Sequence, residues 1–368
     1  MAKKYKYPIL QINLDYIYDN SKKLVDLCNQ NGICISGVVK GFNGDPKIAE
    51  ELVKAGCEHI ASARLEQLIK LKKHGIAKQT MLVRIPMLSE LEDMVGNVDI
   101  SLNSEWETVE NIEIICKKKK VIHKVVLMCD VGDLREGFFN TEELINLALY
   151  IENSLQYVKL YGIGTNIGCY GSINPSVENL SQLCLVAEEI EKKIGRNLEL
   201  VSGGATTSLT LLLEGKMPTK INNLRIGEAI LVNRDLQDLR KFNIEGLHQD
   251  NFILNAQIVE VKDKPSYPIG EIFFDAFGNK PVYTDRGIRK RAILAVGKQD
   301  IGDHDKLIPM LNGIQIIGSS SDHMIVDIQD CKQNIKVGDV LEFMMQYPPM
   351  LYLTASKNVK KIYKKNKR

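Results

Sequence analysis

The chain carries an amine, two guanidinium groups and a glycine turn in places where they could act together on one small molecule. Lys40 closes the apolar run Ile33-Cys34-Ile35-Ser36-Gly37-Val38-Val39, and the turn Gly41-Phe42-Asn43-Gly44-Asp45-Pro46 follows at once. An amine at a buried strand tip, shielded by apolar side chains, can lose its proton and attack a carbonyl. A lysine that merely ends a strand and reaches into water has the same local sequence. Its company decides between the two. Arg135 follows the apolar stretch 124–130, Asn166 ends the stretch 160–166, and Arg225 lies inside Asn223-Leu224-Arg225-Ile226. The segment Ser202-Gly203-Gly204-Ala205-Thr206-Thr207-Ser208 can receive an anion: its glycines let backbone N–H groups approach, Ser202 and Thr206 add hydroxyls, and a helix pattern follows. An ordinary N-capped turn would have a similar composition.

These groups need a scaffold that gathers them. Apolar runs at 33–40, 59–63, 80–85, 99–103, 124–130, 160–166, 199–203 and 223–226 predict eight strands. Helix patterns fall between them at 46–55, 65–73, 105–117, 141–151, 177–193 and 208–214, with a shorter one at 89–95 and another at 15–29 before the first barrel strand. Strand and helix in strict alternation imply a parallel sheet, and eight repeats imply a closed (β/α)8 TIM barrel. Chemistry in such a barrel sits at the carboxyl ends of the strands. Read in order, those ends are Lys40, Ser62, Arg84, Asn103, Arg135, Asn166, Ser202 and Arg225, a cationic mouth suited to an anion. The loops after the seventh and eighth strands are where such barrels hold phosphate. An amine, a phosphate cradle and a central arginine describe a site for pyridoxal 5′-phosphate.

After Asn233 helical periodicity ends and alternating segments appear at 252–261, 291–296, 313–318, 324–328 and 340–343. The expected organisation is a barrel over 15–235 and a second, C-terminal β-rich domain over 236–368, joined by an N-terminal strand within 1–14. Gln299-Asp300, near the end of an apolar strand, either line a site or simply end the strand.

Composition narrows the class. A net charge of +2 gives no case for nucleic acid, and the lysine runs at 117–120 and in the tail 357–368 read as solvated ends. No apolar stretch is long enough to span a bilayer, and the N-terminal segment lacks the apolar centre of a signal peptide. The eight cysteines are scattered, with no Cys-x-x-Cys, and read as packing residues in a reducing cytoplasm; a catalytic part for Cys129 or Cys169 is the lesser reading. His59, His74, His123, His248 and His304 stand singly, so no metal is expected.

With these residues in view, the chain resembles the alanine racemase family of pyridoxal-phosphate enzymes, most of all its ornithine racemase branch. Val38-Val39-Lys40 before a Gly/Asn turn is similar to the family's lysine motif. Met128-Cys129-Asp130-Val131-Gly132-Asp133-Leu134-Arg135-Glu136-Gly137-Phe138 is similar to the stretch whose arginine contacts the cofactor's phenolic oxygen. Thr165-Asn166 stands where the family has Thr-His, Ser202-Gly203-Gly204 at the phosphate loop, and Leu224-Arg225-Ile226-Gly227-Glu228 at the arginine facing the pyridine nitrogen. Phe274-Asp275-Ala276-Phe277-Gly278-Asn279, Asp285-Arg286-Gly287-Ile288-Arg289-Lys290-Arg291 and Gly318-Ser319-Ser320-Ser321-Asp322-His323 resemble second-domain motifs of the ornithine branch.

The resemblance implies a homodimeric racemase with shared active sites, in which Lys40 carries the cofactor and moves the Cα proton on one face. The family's opposite-face tyrosine has no clean equivalent: its place falls on Asp275, with Tyr283 nearby, and a carboxylate there would need a raised pKa. Gly44 stands near the place of a phosphate-touching tyrosine, and Met128 at that of a modified lysine. Asp322, with Ser321, would bind a distal ammonium and favour ornithine; equally, Asp322 caps a turn. Racemases of alanine or lysine, a non-catalytic cofactor carrier, an aldolase or decarboxylase using the same cofactor, and a cofactor-free lysine aldolase are the alternatives.

Overall fold

The structure, a computed structural model, describes residues 6–76, 78–275 and 277–365. Residues 1–5 and 366–368, part of the N-terminal segment and basic tail read above, lie outside the described residues, as does Ala276 of the motif at 274–279. The chain divides into two compact units, Asp15–His248 and Met1–Leu14 with Gln249–Arg368.

Strand β1 (Ile9–Asn13) leads into helix α1 (Leu14–Asn29). The first unit then alternates β2 (Cys34–Val38), α2 (Pro46–Lys54), β3 (His59–Ser62), α3 (Leu65–Lys73), β4 (Gln79–Leu82), α4 (Leu91–Met94), β5 (Ile100–Asn103), α5 (Trp106–Lys119), β6 (His123–Met128), α6 (Thr141–Ser154), β7 (Val158–Gly164), α7 (Val177–Ile194), β8 (Leu200–Ser202), α8 (Leu209–Leu213), β9 (Asn223–Ile226) and α9 (Glu228–Leu231). Strands β2 to β9 close into a parallel barrel in sequence order, β9 pairing back onto β2, so the expected (β/α)8 architecture is present. The strands are covered on both faces, which is why they read as continuous apolar runs. Val38, Ala61, Met81, Ile100, Leu102, Val126, Met128 and Leu200 fill the interior.

Local chemistry sets the helix boundaries. Asp45 accepts from the N–H of Lys47 and Pro46 opens α2, while Ser176 and Asn179 form a reciprocal capping box on α7. The helix pattern expected at 208–214 shrinks to five residues behind a single 3-10 turn, Thr206–Ser208, so the dipole expected to face an anion there is small.

The second unit continues with β10 (Phe252–Pro265), β11 (Ile288–Leu294), α10 (Lys298–Ile301), β12 (Leu307–Pro309), β13 (Gln315–Ser319), β14 (Met324–Asp327), β15 (Val340–Met345), α11 (Tyr347–Ala355) and β16 (Lys360–Lys364). Its sheet runs β12-β15-β10-β11-β14-β13, antiparallel throughout. Strand β1 joins its own unit by pairing antiparallel with β10 and parallel with β16. Helical structure does not end at 233 as the periodicity suggested: a π-helical turn covers Asp235–Leu239, and α11 packs Met350 and Leu353 into the core.

Candidate active site

Strand β2 stops at Val38, and Lys40 opens a 3-10 turn, Lys40–Phe42. Behind it Asn43 takes a left-handed conformation, and its side-chain oxygen accepts from Gln67 Nε2 at 3.0 Å. Gln67 Oε1 in turn accepts from Ser62 Oγ at 2.6 Å. Ser62, at the tip of β3, therefore anchors the turn after Lys40. The Lys40 side chain is not enclosed by apolar residues as expected; its flank is open to water. Its ammonium is nonetheless hemmed in by protein, and this desolvation lowers its pKa below the ordinary lysine value. Arg135 and Arg225 deepen the depression, while Cys169 and Glu136 oppose it. An amine so placed loses its proton more readily than a surface lysine.

Two aspartates shape the loop that carries Arg135. Asp130 Oδ1 accepts from the N–H groups of Gly132 at 2.8 Å and Leu134 at 3.1 Å. The buried Asp133 carboxylate accepts from the N–H groups of Gly168, Cys169 and Tyr170, which ties the loop after β6 to the loop after β7. Arg135 pairs with Glu136 and points Nη1 at Cys169 Sγ, 2.8 Å away. Cys169 thus lies exposed beside a site guanidinium, whereas Cys129 is buried and its thiol is pushed up to about 11 by desolvation. Arg84 adds little free charge to the mouth: it grips both oxygens of Glu90 at 2.8 Å and donates to the carbonyls of Ala63 and Ile85.

Arg225 is buried, with Nη1 donating to Ser202 Oγ at 2.5 Å and Nη2 to the Thr165 carbonyl at 2.7 Å. Among the described residues no carboxylate touches it. Burial lowers its pKa to about 10, which still leaves it charged near neutrality. Ser202 Oγ donates to Asn223 Oδ1 at 2.7 Å, Asn223 Nδ2 to Ser36 Oγ at 2.9 Å, and Ser36 meets His59 Nδ1 at 3.1 Å. The Ser202 hydroxyl, expected to face a phosphate, is instead engaged inside the barrel with Arg225 and Asn223. Gly203 also has an internal reason to be glycine, since a Cβ there would lie 2.7 Å from Ile221 Cγ2. Its N–H donates to the Asn223 carbonyl. Gly204, at φ +108°, turns the chain away, and the N–H groups of Gly204 and Ala205 find no acceptor among the described residues. Thr206 Oγ1 accepts from the N–H of Ala229 at 3.3 Å and keeps its own proton to donate.

These residues suit pyridoxal 5′-phosphate. The amine of Lys40 suits its aldehyde, and the free N–H groups with Thr206 suit its phosphate. The buried Arg225, with no carboxylate partner among the described residues, suits a ring nitrogen. Asn166 Nδ2 and Thr165 Oγ1 are buried beside Arg225's carbonyl partner and lack partners of their own, as expected of groups that await a ligand. Thr165, Asn223 and Glu136 were given no role of their own in the sequence, since each is an unremarkable polar residue until the barrel closes.

In the second unit, Asp275 is an exposed turn cap. Its carboxylate accepts from the N–H groups of Phe277 at 2.9 Å and Asn279 at 2.8 Å, and from Asn279 Nδ2 at 3.2 Å. The backbone N–H of Asn279 first, and the other donors after it, hold its pKa below the usual aspartate value. A two-base role asked for the reverse. Tyr283 is exposed and meets Tyr267 edge-on. Ser321 Oγ donates to Asp322 Oδ2 at 2.8 Å in an exposed turn. Lys298, beside the Gln299-Asp300 pair noted in the sequence, links these two turns: its ammonium lies 4.0 Å above the Phe277 ring, and its N–H donates to the Ser320 carbonyl. Asp300 itself is buried and accepts from Ser356 Oγ. His304 is less isolated than expected, with Asp303 and Asp305 within ligand distance and Ser319 on its Nδ1. Among the described residues no helix is long and apolar enough to cross a membrane.

Known proteins resemble this chain over nearly its whole length. Ornithine racemase of Acetoanaerobium sticklandii is 42% identical over 358 residues, 96% of this chain and 99% of that protein. Lysine racemase of Thermotoga maritima is also 42% identical, over 357 residues, 97% of this chain and 98% of that protein. Among solved structures, alanine racemase from D-cycloserine-producing Streptomyces lavendulae superposes with a TM-score of 0.77 at 16% identity, covering 99% of this chain and 98% of that one. D-Threonine aldolase from Filomicrobium marinum shares the fold with a TM-score of 0.74 at 13% identity, over 94% of this chain and 89% of that one. The description "Alanine racemase, N-terminal domain" matches residues 12–234, the barrel that carries Lys40 and Arg225. With that match over most of its length and two full-length racemase relatives, the chain belongs to the alanine racemase family.

Proposed function

We propose that this amino acid racemase interconverts the L and D forms of a basic amino acid, ornithine ahead of its one-methylene-longer relative lysine. Near-equal identity to an ornithine and a lysine racemase supports the basic class. Asp322, held in its turn by Ser321, is the carboxylate we assign to the distal ammonium. The order within the class rests on the second-domain motifs quoted above. A hydrophobic pocket discriminates one methylene by only about 1–3 kcal/mol, so both substrates are expected to turn over.

The observation that carries the reading is Lys40, an amine of depressed pKa sharing its surroundings with Arg135 and the carboxylate-free Arg225. Pyridoxal 5′-phosphate, when bound, supplies the conjugation that makes a Cα proton removable. Lys40 would hold that cofactor through its amine and, once released, would move the proton on one face. Gly204, Ala205 and Thr206 would hold the phosphate, and Asn166 and Arg135 would offer donors to the rest of the cofactor. A charged Arg225 would disfavour protonation of the ring nitrogen, which would favour return of the proton to Cα over loss of the amino group. Removal on one face and return on the other inverts the centre, so a second group is needed opposite Lys40.

We assign a twofold dimer with shared sites. Exposed apolar residues support it: Phe273, at 73% exposure, with Phe274, Ile269 and Val282 in the second unit, and Tyr170, also at 73%, with Phe139 and Leu134 on the barrel loops. Borohydride reduction of the holoenzyme followed by peptide mapping tests the assignment. The cofactor is expected on Lys40, and loss of optical rotation from pure L-ornithine on the untreated enzyme. Attachment elsewhere, or unchanged rotation with every basic amino acid, would sink it.

A further inference from the structure

We propose that Glu136 is a positioning residue of this site, holding the Arg135 guanidinium at the angle a bound cofactor meets; the inference rests on the racemase reading above. The pair is made by backbone. Side chains of neighbouring residues ordinarily point apart along an extended chain. Here the segment from Val131 to Gly137 is a closed excursion from the end of β6. At its foot the N–H of Asp130 donates to the Phe138 carbonyl at 3.0 Å, and that of Phe138 to the Met128 carbonyl at 2.8 Å. Gly137, at φ +126°, lets the two passes of chain close, since a Cβ there would lie 2.7 Å from the Asp130 nitrogen. Inside the excursion Leu134 takes φ +55°, a left-handed conformation unfavourable to a residue with a side chain. Across that bend the Glu136 carboxylate accepts from both Nε and Nη2 of Arg135, the latter at 2.5 Å.

A fork of this kind fixes a plane as well as a distance. The third nitrogen is held from a second loop: Nη1 donates to Cys169 Sγ at 2.8 Å, and the N–H of Cys169 is tied to Asp133 at 3.3 Å. Three of the five guanidinium hydrogens are thereby committed. One on Nη1 and one on Nη2 remain without an acceptor among the described residues, and these are what Arg135 can offer a cofactor. Stability does not account for the pair. The Arg135 side chain is 37% exposed, and an ion pair open to water adds little to folding. Glu136 is better covered, at 17%, and its charge acts on Lys40 and Arg225 as well as on Arg135. It therefore stands among the three cations of the site rather than at its rim.

Equilibrium dialysis of the holoenzyme against graded pyridoxal 5′-phosphate reads the grip, and the visible band of the bound cofactor at saturation reads its surroundings. Glu136→Gln keeps the shape and removes the charge. Loss of a negative charge beside an anionic cofactor would alone tighten binding. The expected result has the opposite sign: retention weakened by about 10-fold or more, the scale of a lost hydrogen bond to a charged group. Retention equal to or tighter than wild type would overturn the proposal. Glu136→Asp keeps the charge but is too short for the same fork, and should weaken retention in the same way; full retention with aspartate would make the role one of charge alone and overturn it as well. Arg135→Lys removes the fork itself. It should displace the visible band, Glu136→Gln should displace it in the same direction, and the double variant should go no further than Arg135→Lys in band or retention. Additive effects, or a band unmoved by Glu136→Gln, would show that Glu136 does not act through Arg135. If Arg135→Lys changes neither band nor retention, Arg135 does not meet the cofactor, and that part of the proposed function fails together with this inference. An effect of Arg135→Lys with Glu136→Gln silent sinks this inference alone.

Discussion

Arg225 owes its position to hydrogen bonds that run in one direction. The Cys34 carbonyl lies 3.3 Å from Asn223 Nδ2, and a carbonyl can only receive, so the amide's NH2 faces β2 and its oxygen faces Ser202. The Ser202 proton must then go to Asn223, which leaves its lone pair for Arg225. Ser36 accepts from Asn223 and passes its own proton to His59 Nδ1, so the chain ends on a neutral ring; burial indeed lowers the His59 pKa. Asn223→Ala would leave Ser202 and Ser36 half-satisfied in a closed interior. We expect a loss of about 1–3 kcal/mol in urea unfolding and weaker retention of the cofactor on dialysis. A change below 0.5 kcal/mol with unchanged retention would show that the chain does not hold Arg225. At the second unit, Asp322→Ala should cost ornithine about 10-fold or more in kcat/KM while leaving alanine unchanged, on the scale of a lost charge-assisted hydrogen bond. An equal loss on both would return Asp322 to a turn cap. Lys40 and Arg225 were legible in the sequence because they interrupt apolar strands. Asn223, Ser36 and His59 were not, since a polar residue inside a strand reveals no partner until the barrel brings β2, β3, β8 and β9 together.

Elements follow the same division. Continuous apolar runs marked all eight barrel strands, because strands covered on both faces must be apolar throughout. The helix α11 escaped notice: it is short, opens with prolines and has little polar face to set a period. The short helix α9 begins with Glu228, whose carboxyl is half-buried, accepts from the N–H groups of Arg234 and Asp235, and leaves Oε2 without a partner. Desolvation raises its pKa to about 7, against those two hydrogen bonds. The folded chain thus keeps this proton up to about pH 7 while the unfolded chain releases it near 4.5. Stability from this group is present at low pH and lost as pH rises between those values, on the order of 3 kcal/mol. His123, buried on Ser101 with its pKa pushed down to about 4, acts oppositely, losing stability as pH falls from 6.5 toward 4. The two slopes largely offset each other in the wild type. Glu228→Gln removes only the first, so the variant's stability relative to wild type should rise by about 2–3 kcal/mol between pH 5 and pH 8. A difference that stays flat across that interval would place the Glu228 pKa near its ordinary value.

At the scale of the whole molecule, the open question is how many chains make one site. The sequence shows two regions but not whether copies share a site, because a contact between copies would leave no periodicity along a single chain. Exposed aromatic and aliphatic residues concentrate on the segment between β10 and β11, with Phe273 and Phe274 stacked edge-to-face, and on the barrel loops that carry Leu134, Phe139 and Tyr170. A dimer that covers both patches would bring the second unit of one copy to the barrel of the other. Mixing two impaired variants and assaying ornithine tests this directly. In Lys40→Ala mixed with Asp322→Ala, a mixed dimer with shared sites contains one site with both residues intact and one with neither. Subunits exchanged at random give half mixed dimers, so about one quarter of the wild-type activity should return, with the mixture sedimenting as a dimer. If each chain builds its site alone, every site in the mixture lacks Lys40 or Asp322, and activity stays at that of the two variants measured apart however long the chains exchange. Charging the patch with Phe273→Asp and Phe274→Asp should abolish the recovery by separating the chains, which ties the returned activity to the apolar surface rather than to either site variant.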